Sequence, residues 1–397
     1  MLKKITIQNY KSVQNLNIEL GRFNVFIGEN GCGKSNILEA IAIGSAALGN
    51  KLDNEFLVTR GIRITEPDMM VSRFDKANLE KSILVDFEDE KDEKVRIRMR
   101  YHEGWIHCFQ LLDEDEIMLP PTHDYPVMDI EKLSLASLAT FKSLMNEAPQ
   151  FNSFLNNHTQ FIAHNNLYPF LIYAPENYFL RRFEEEGQIK PLGVRGEGLF
   201  KHLVDLFRTQ PNVLHEIKTN LKLIDWFGDF DIPQDLFFGE KRINIRDRFL
   251  PNDLAYFDQR SANEGFLYLL FYFTLFISPK TPRFFAIDNI DNALNPKLCA
   301  KLISTLTNLA AIHQKQVILT THNPAVLDGL DLTDKNAVLD GLDLTNDNQR
   351  LFVVYRNADG HTTTKRVMPP KSIEGVTPVR LSEAFIRGYL GGLPKNF

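Results

Sequence analysis

A glycine-rich octapeptide near the start of the chain constrains the fold more than any other feature. Residues 28–35 read GENGCGKS and fit the pattern GxxxxGK[ST], in which glycines let backbone N–H groups turn towards phosphate oxygens. The apolar run 23–27 precedes the octapeptide, and apolar residues with helical spacing follow it as far as Ile43. A strand, a tight loop and a helix in this order predict a phosphate-binding loop.

The residue types in this loop have distinct expected roles. The Lys34 ammonium should reach the β and γ phosphates of ATP, and the Ser35 hydroxyl should coordinate Mg²⁺. The residues that we expect to bind the nucleotide are Gly28, Asn30, Gly31, Gly33, Lys34, Ser35 and Asn36.

Two later apolar segments end in polar residues of matching chemistry. Residues 283–287 lead to Asp288, whose carboxylate is the second group that a Mg²⁺ site beside Ser35 requires. Residues 316–321 lead to His322, whose imidazole could contact a γ phosphate or the attacking water. The order of the three motifs favours a functional role for both side chains.

The ordered set of motifs resembles the ABC-type ATPases of the SMC, RecF and OLD group. The resemblance is carried by four segments, which together cover roughly half of the chain: ITIQNYKSVQNLNIEL, FNVFIGENGCGKSNILEAI, AIDNIDNALNPKL and ILTTHNPAVL. It implies a two-lobed α/β ATPase head, with a mixed sheet that carries the phosphate loop and an antiparallel β subdomain. It also implies a split site, which two copies complete by closing around ATP and Mg²⁺.

The resemblance assigns a signature loop that acts on the ATP of the second copy. The residues of this loop are Ser261, Asn263, Glu264 and Gly265. The related ATPases usually have serine at the position of Asn263, and Ser261 could replace it if the register differs by two residues. Gly265 and the start of the following helix could still contact a γ phosphate.

A second departure concerns catalysis. The related ATPases usually place a glutamate directly after the Mg²⁺-organising carboxylate, but this chain has Asn289 there. An amide cannot take a proton from water as a general base does. Asp291 and His322 are the remaining candidates for a catalytic role, so we expect ATP binding with slow or absent hydrolysis.

The sequence pattern divides the chain into three regions. Residues 1–128 are predicted to form the first lobe, with the phosphate loop and antiparallel strands. Residues 129–234 are predicted to form an inserted helical arm and a linking strand, because apolar residues at helical spacing dominate from 129 to 165. Residues 235–397 are predicted to form the second lobe, with the signature loop, Asp288 and His322.

One octapeptide occurs twice in the second lobe. The sequence AVLDGLDL stands at 325–332 and again at 337–344. Two copies are too few for a repeat architecture. We therefore interpret the repeat as a local duplication that lengthens a surface loop.

The charge pattern bears on DNA binding. The net charge of −6 argues against a generally basic surface. One predicted strand carries a basic face of Lys94, Arg96, Arg98 and Arg100. A hairpin would set Glu88 opposite Lys94 and Asp86 opposite Arg96, so we expect ion pairs there and leave DNA contact to Arg98 and Arg100.

Two functions remain open at this point. Asn289 favours an ATP-loaded homodimer or larger homo-oligomer that scaffolds and restrains an effector protein, a nuclease or toxin, as in the Septu, retron-linked or PARIS-like anti-phage systems that contain similar ATPases. The alternative is an active RecF-like DNA-repair ATPase that binds duplex DNA. The three cysteines show no paired spacing and no apolar run is long enough to cross a membrane, so we expect a cytoplasmic protein without a membrane partner.

Overall fold

The computed structural model describes residues 1–49, 51–101, 105–111, 160–183, 189–233, 237, 239–251, 256–330, 337–339, 342–344, 348–367 and 380–391. The strands in chain order are β1 (Leu2–Tyr10), β2 (Val13–Glu19), β3 (Phe23–Ile27), β4 (Ile83–Asp89), β5 (Lys94–Tyr101), β6 (Trp105–Leu111), β7 (Ile172–Tyr173), β8 (Phe227–Asp231), β9 (Asn244–Asp247), β10 (Tyr256–Asp258), β11 (Phe284–Ile287), β12 (Gln316–Thr321), β13 (Ala337–Leu339), β14 (Leu342–Leu344), β15 (Gln349–Arg356) and β16 (Thr362–Val367). The α-helices are α1 (Lys34–Leu48), α2 (Asn54–Thr59), α3 (Pro67–Met70), α4 (Asn177–Arg182), α5 (Leu199–Thr209), α6 (Pro211–Leu221), α7 (Glu264–Ile277), α8 (Pro296–Ile312) and α9 (Leu381–Ile386). Two 3₁₀ helices cover Lys76–Asn78 and Pro324–Gly329.

A mixed central sheet joins strands from both ends of the chain. Its order is β16-β15-β3-β12-β11-β7, and only the β15–β16 pairing is antiparallel among these neighbours. The three central strands β3, β12 and β11 are buried throughout, as parallel strands covered on both faces must be. The loops that follow them therefore meet at one edge of the sheet, where ligands commonly bind in α/β folds.

Each face of the central sheet has its own core. Phe26 of β3 packs with α1 and with the antiparallel sheet β2-β1-β4-β5-β6, whereas Val25 and Ile27 pack on the opposite side with α7 and α8. This division follows from the alternation of side chains along a strand. The helix that starts at the phosphate loop is thereby held between two sheets.

Helix α7 is apolar around its whole circumference. Its residues from Phe266 to Ile277 are all buried, which is typical of a helix in the centre of a large core. Tyr173 of β7 and Phe285 of β11 form edge-to-face ring pairs with Phe271 and Phe276 of α7. These contacts hold the middle and the end of α7 against the central sheet.

The predicted basic hairpin is confirmed. Asp86 of β4 accepts two hydrogen bonds from the Arg96 guanidinium of β5, each 2.9 Å long. Glu88 lies 3.3 Å from the Lys94 ammonium. Arg98 stands opposite Leu84 in the register, so it has no acidic residue facing it on β4.

The linking strand predicted within residues 129–234 is two residues long, Ile172–Tyr173. Most of the inserted helical arm lies outside the described residues, although residues 160–165 are helical. Within the described ranges, no helix is both long and apolar enough to cross a membrane.

The duplicated octapeptide has two different structures. Its first copy contains the 3₁₀ helix, with Val326 and Leu327 fully buried. Its second copy forms the two short strands β13 and β14, which pair with each other. The described residues of the two copies therefore take different conformations, according to the surroundings of each copy.

Candidate nucleotide-binding site

The phosphate loop connects β3 to α1 in a tightly packed bend. Gly31 and Gly33 have φ angles of +78° and +105°, a region that residues with a Cβ rarely adopt. A Cβ on Gly33 would lie 2.0 Å from Thr362 Oγ1, and a Cβ on Gly28 would lie 2.1 Å from the Val354 carbonyl oxygen. The glycines are therefore required by both the turn and the neighbouring strands.

The lysine of the loop is folded over the loop itself. Lys34 is 7% exposed, and its ammonium donates hydrogen bonds of 2.8 and 2.9 Å to the carbonyl oxygens of Gly28 and Glu29. Gly33 caps α1 without a side-chain hydrogen bond. The first N–H groups of α1 are therefore left to other acceptors, since they have no partner within the helix.

Ser35 and Asp288 meet across the carboxyl edge of the sheet. Ser35 Oγ donates a hydrogen bond of 3.0 Å to Asp288 Oδ2. The Thr320 hydroxyl of β12 donates to Asp288 Oδ1. The parallel register, which pairs Ile287 with Leu319, explains why the end of β11 faces Thr320.

Asn289 occupies a turn that suits an amide residue. Its φ angle is +56°, in the left-handed region that asparagine tolerates better than most residues. Its backbone N–H donates a hydrogen bond of 2.9 Å to Thr320 Oγ1. Asn289 therefore lies directly beside the Ser35–Asp288 pair.

Asp291 and His322 approach one another next to this turn. Asp291 is buried, and its Oδ1 accepts a hydrogen bond of 2.6 Å from the Thr321 hydroxyl. His322 Nε2 lies 3.8 Å from Asp291 Oδ2. The structure thus places Lys34, Ser35, Asp288, Asn289, Asp291 and His322 on or just after the elements that end at one edge of the sheet.

The remaining loop residues differ in their surroundings. Asn30 and Gly31 are exposed. The Asn36 amide donates a hydrogen bond of 2.7 Å to Ser12 Oγ and accepts one of 3.3 Å from Arg63. Asn36 therefore faces a neighbouring cavity.

This cavity is lined in part by cationic residues for which no functional role was predicted from the sequence. It has a volume of about 550 Å³ and includes Lys11, Arg63 and Arg356 in its lining. Glu39, which is buried, lies 2.6 Å from both the Lys11 ammonium and the Arg63 guanidinium. The segment NYKSV was part of the resemblance, so Lys11 could have been found, but nothing in the sequence links Arg63 to the loop.

The signature residues lie at the start of α7, outside that cavity. Asn263 is the N-cap, and its side-chain oxygen accepts a hydrogen bond of 2.8 Å from the Phe266 N–H. Ser261 stands two residues earlier, in a turn where its N–H donates to Asp258 Oδ1. The helix start therefore places Asn263, not Ser261, at the capping position. Asn263, Glu264 and Gly265 line a second cavity of about 500 Å³ together with Lys297 and Lys301 of α8.

These features define an ABC-type ATPase head. In such a head the phosphate loop and the late carboxylate strand meet on one subunit, and the signature helix begins elsewhere on its surface. The fold class predicted from the sequence is confirmed by a likeness to a solved structure, a crystal structure of an SmcHead bound to the C-winged helix domain of ScpA. The likeness has a TM-score of 0.56 at 14% identity and covers 94% of this chain and 99% of that one.

The sequence comparisons identify the family. The chain belongs to the family described as "AAA domain, putative AbiEii toxin, Type IV TA system", whose model matches residues 23–328. It is also 25% identical over 265 residues to the DNA replication and repair protein RecF of Clostridium novyi (strain NT), covering 62% of this chain and 68% of that protein. Together these findings support an SMC/RecF-like ATPase.

Proposed function

We propose that this chain binds ATP with Mg²⁺ at the phosphate loop and that two copies close on the bound nucleotides. The observation that carries the proposal is the 3.0 Å hydrogen bond between Ser35 Oγ and Asp288 Oδ2. It brings a hydroxyl and a carboxylate together at the start of a helix that has no side-chain cap.

The donor groups at this position fit a magnesium nucleotide. Mg²⁺ prefers hydroxyl, carboxylate and phosphate oxygens, and Ser35 and Asp288 supply the first two. Lys34 and the first N–H groups of α1 supply positive charge and donors for phosphate oxygens. The bound cation would spread the negative charge of the phosphates.

The neighbouring cavity suits the nucleoside part of the ligand. Its volume of about 550 Å³ lies in the range of small-molecule sites. Met69 and Phe74 give it an apolar wall, while Arg63 and Arg356 give it positive charge. Arg356 also donates a hydrogen bond of 2.9 Å to the Gly31 carbonyl oxygen, so the cavity and the phosphate loop are in direct contact.

Asn289 supports a protein that holds ATP and turns it over slowly. The related ATPases use a glutamate at this position to activate water, and an amide lacks both the base and its negative charge. A long-lived ATP-bound dimer could serve as a scaffold that restrains a separate effector. We propose a nuclease or toxin in an anti-phage system as that effector, on the resemblance described above.

The central claim is tested by ATP-dependent self-association. Sedimentation velocity with Mg²⁺ and ATP should show a dimer or larger oligomer, and the same chain with ADP should remain dissociated. Lys34→Ala should not respond to ATP. An unchanged sedimentation coefficient with saturating ATP would contradict the nucleotide sandwich. Identification of proteins that copurify with the ATP-bound form would then test the effector.

A RecF-like DNA-binding ATPase is the second candidate. It is favoured by the similarity to RecF and by Arg98 and Arg100, which are both exposed on β5. This function predicts duplex binding that weakens steeply with salt, because binding releases counterions from the phosphates. Arg98→Gln with Arg100→Gln should then reduce both the affinity and the salt dependence, whereas the scaffold function predicts no such loss.

A further inference from the structure

Arg181 of helix α4 contacts the backbone of the signature loop, which is taken from here on as residues 260–265 so as to include the turn before the helix. The Arg181 guanidinium donates hydrogen bonds of 2.6 and 2.8 Å to the carbonyl oxygens of Arg260 and Ala262. Both oxygens belong to the backbone just before the start of α7. Both bonds come from one guanidinium nitrogen, Nη1, so a single group holds the two carbonyl oxygens close to each other.

A second contact reaches the first residue of α7. Arg181 Nε donates to Asn177 Oδ1 at 3.2 Å, and Asn177 Nδ2 donates to Glu264 Oε1 at 2.5 Å. Arg181, Asn177 and Glu264 therefore form a chain of side-chain hydrogen bonds from α4 to the signature loop.

Helix α4 follows β7, which is hydrogen-bonded to Asp288. The Asp288 N–H donates a hydrogen bond of 2.8 Å to the Tyr173 carbonyl oxygen of β7. Only a few residues separate Tyr173 from α4, and Leu180 of α4 is fully buried. Residues 172–182 thus connect the carboxylate at one nucleotide site to the signature loop on the same chain.

Contacts within the signature loop do not replace those from α4. Asp258 accepts hydrogen bonds from the N–H groups of Arg260 and Ser261, and Asn263 caps α7. These contacts shape the turn and the helix start separately. The bonds from Arg181 to the carbonyls of Arg260 and Ala262 connect the two parts.

We propose that Arg181 is a positioning residue that holds the signature loop in the shape needed to contact the nucleotide of a second copy. This inference rests on the proposed nucleotide sandwich. Arg181 acts on the partner's nucleotide through residues 260–265, and its own copy's phosphate loop is formed by other elements. Loss of Arg181 should therefore weaken closure of the dimer and leave ATP binding by the single copy unchanged.

The test compares Arg181→Ala with the neighbouring variant Arg182→Ala. Arg182 contacts Tyr178, through a hydrogen bond of 3.0 Å and the face of its ring, and so controls for the loss of an α4 arginine. Charged hydrogen bonds contribute enough that Arg181→Ala should weaken ATP-dependent dimerisation about tenfold or more. Isothermal titration should give the wild-type ATP affinity for both variants under conditions where the chain is monomeric.

Mixing experiments show whether Arg181 acts on the opposite site. Arg181→Ala retains a working phosphate loop, and Lys34→Ala retains a working signature loop. At a protein concentration too low for either variant to dimerise alone with ATP, the mixture should form a heterodimer with one complete composite site. If Arg181 served only its own copy's nucleotide, the mixture would show no ATP-dependent heterodimer.

Two outcomes separate failure of this inference from failure of the proposed function. Absence of ATP-dependent association in the wild type would overturn both. Wild-type association together with unchanged association of Arg181→Ala would overturn the inference alone. Should Arg181→Ala fail to fold, Arg181→Lys retains the positive charge but has one donor nitrogen, so it cannot bond to the two carbonyls and to Asn177 Oδ1 from separate nitrogens as Arg181 does. With ATP, Arg181→Lys should dimerise more weakly than the wild type does with ATP and more strongly than the wild type does without it. If Arg181→Lys dimerises with ATP as strongly as the wild type, the inference is contradicted.

Discussion

His322 Nε2 lies 3.8 Å from Asp291 Oδ2, at the edge of the sheet that also carries Asn289. The Asp291 carboxylate is buried and is held by the Thr321 hydroxyl, whereas the His322 side chain is 50% exposed. At this distance the two groups are not hydrogen-bonded, but catalytic hydrogen bonds are often long before the ligand binds, and a small movement of the exposed imidazole would let the carboxylate orient it. This pair is therefore the candidate for any proton transfer that remains without Asn289 as a base.

Replacement of either member of this pair should lower residual ATP turnover. Asp291→Asn keeps the side-chain shape and removes its charge, and His322→Gln removes the titratable ring. General-base catalysis contributes about 10²–10⁴-fold to a rate. Each variant should therefore lower the single-turnover rate of ATP hydrolysis at least tenfold. ATP-dependent dimerisation serves as the control for an intact site. Equal rates in the wild type and both variants would exclude the pair as the base.

Lys34→Ala should remove the stabilisation that ATP confers on the fold. A ligand at about a hundred times its dissociation constant stabilises a protein by roughly 2.7 kcal/mol. Differential scanning fluorimetry with Mg²⁺ and ATP should therefore show a rise in Tm for the wild type and none for the variant. Lys91→Ala, which changes an exposed lysine on the β4–β5 turn, is the matched control. A full ATP-dependent rise in Lys34→Ala would show that the nucleotide binds elsewhere.

The two copies of the octapeptide allow a comparison of identical local sequences. Leu327 is fully buried, and its counterpart in the second copy is Leu339. Leu327→Ala should destabilise the fold by about 2–5 kcal/mol, as large-to-small core changes do. We expect Leu339→Ala to change the free energy of unfolding by about 0.5 kcal/mol or less, since the first copy already fills the core position. Comparable losses in urea unfolding would show that the second copy is also structural.

His202 should make the stability of the fold depend on pH. Burial lowers the pKa of this imidazole from 6.5 to about 4, and its Nε2 lies 2.8 Å from Ser278 Oγ. At a pH between these two pKa values, the unfolded chain binds a proton on His202 and the folded chain does not. The free energy of unfolding therefore decreases as the pH falls from 6.5 towards 4. The loss should reach about 3 kcal/mol. Urea unfolding of His202→Gln should show a smaller loss over the same range, and identical pH profiles would contradict this assignment.

The parts of the site that lie within continuous motifs could be predicted from the sequence. The glycine loop, Asp288 and His322 each follow an apolar run that forms a strand, and parallel strands bring their ends together. The bonds from Arg181 to the signature loop could not be predicted, because α4 and that loop are far apart in the sequence and share no periodic pattern. The octapeptide shows the same limit at short range, since one sequence forms both a 3₁₀ helix and a strand pair.

Asn289→Glu should raise ATP hydrolysis by about 10²–10⁴-fold if the rest of the site is competent, because it restores a general base beside Ser35 and Asp288. Glutamate is less suited than asparagine to the φ angle of +56°, so the variant should lose about 1 kcal/mol of stability. Asn289→Gln has the same backbone cost without a base and is the matched control. Phosphate release by chain purified free of other ATPases measures the effect. Wild-type turnover of several per second that Lys34→Ala abolishes would show that Asn289 does not limit hydrolysis. If Asn289→Glu binds ATP but remains inactive, combining it with Asn263→Ser should produce activity, since the resemblance aligns Asn263 with the signature serine.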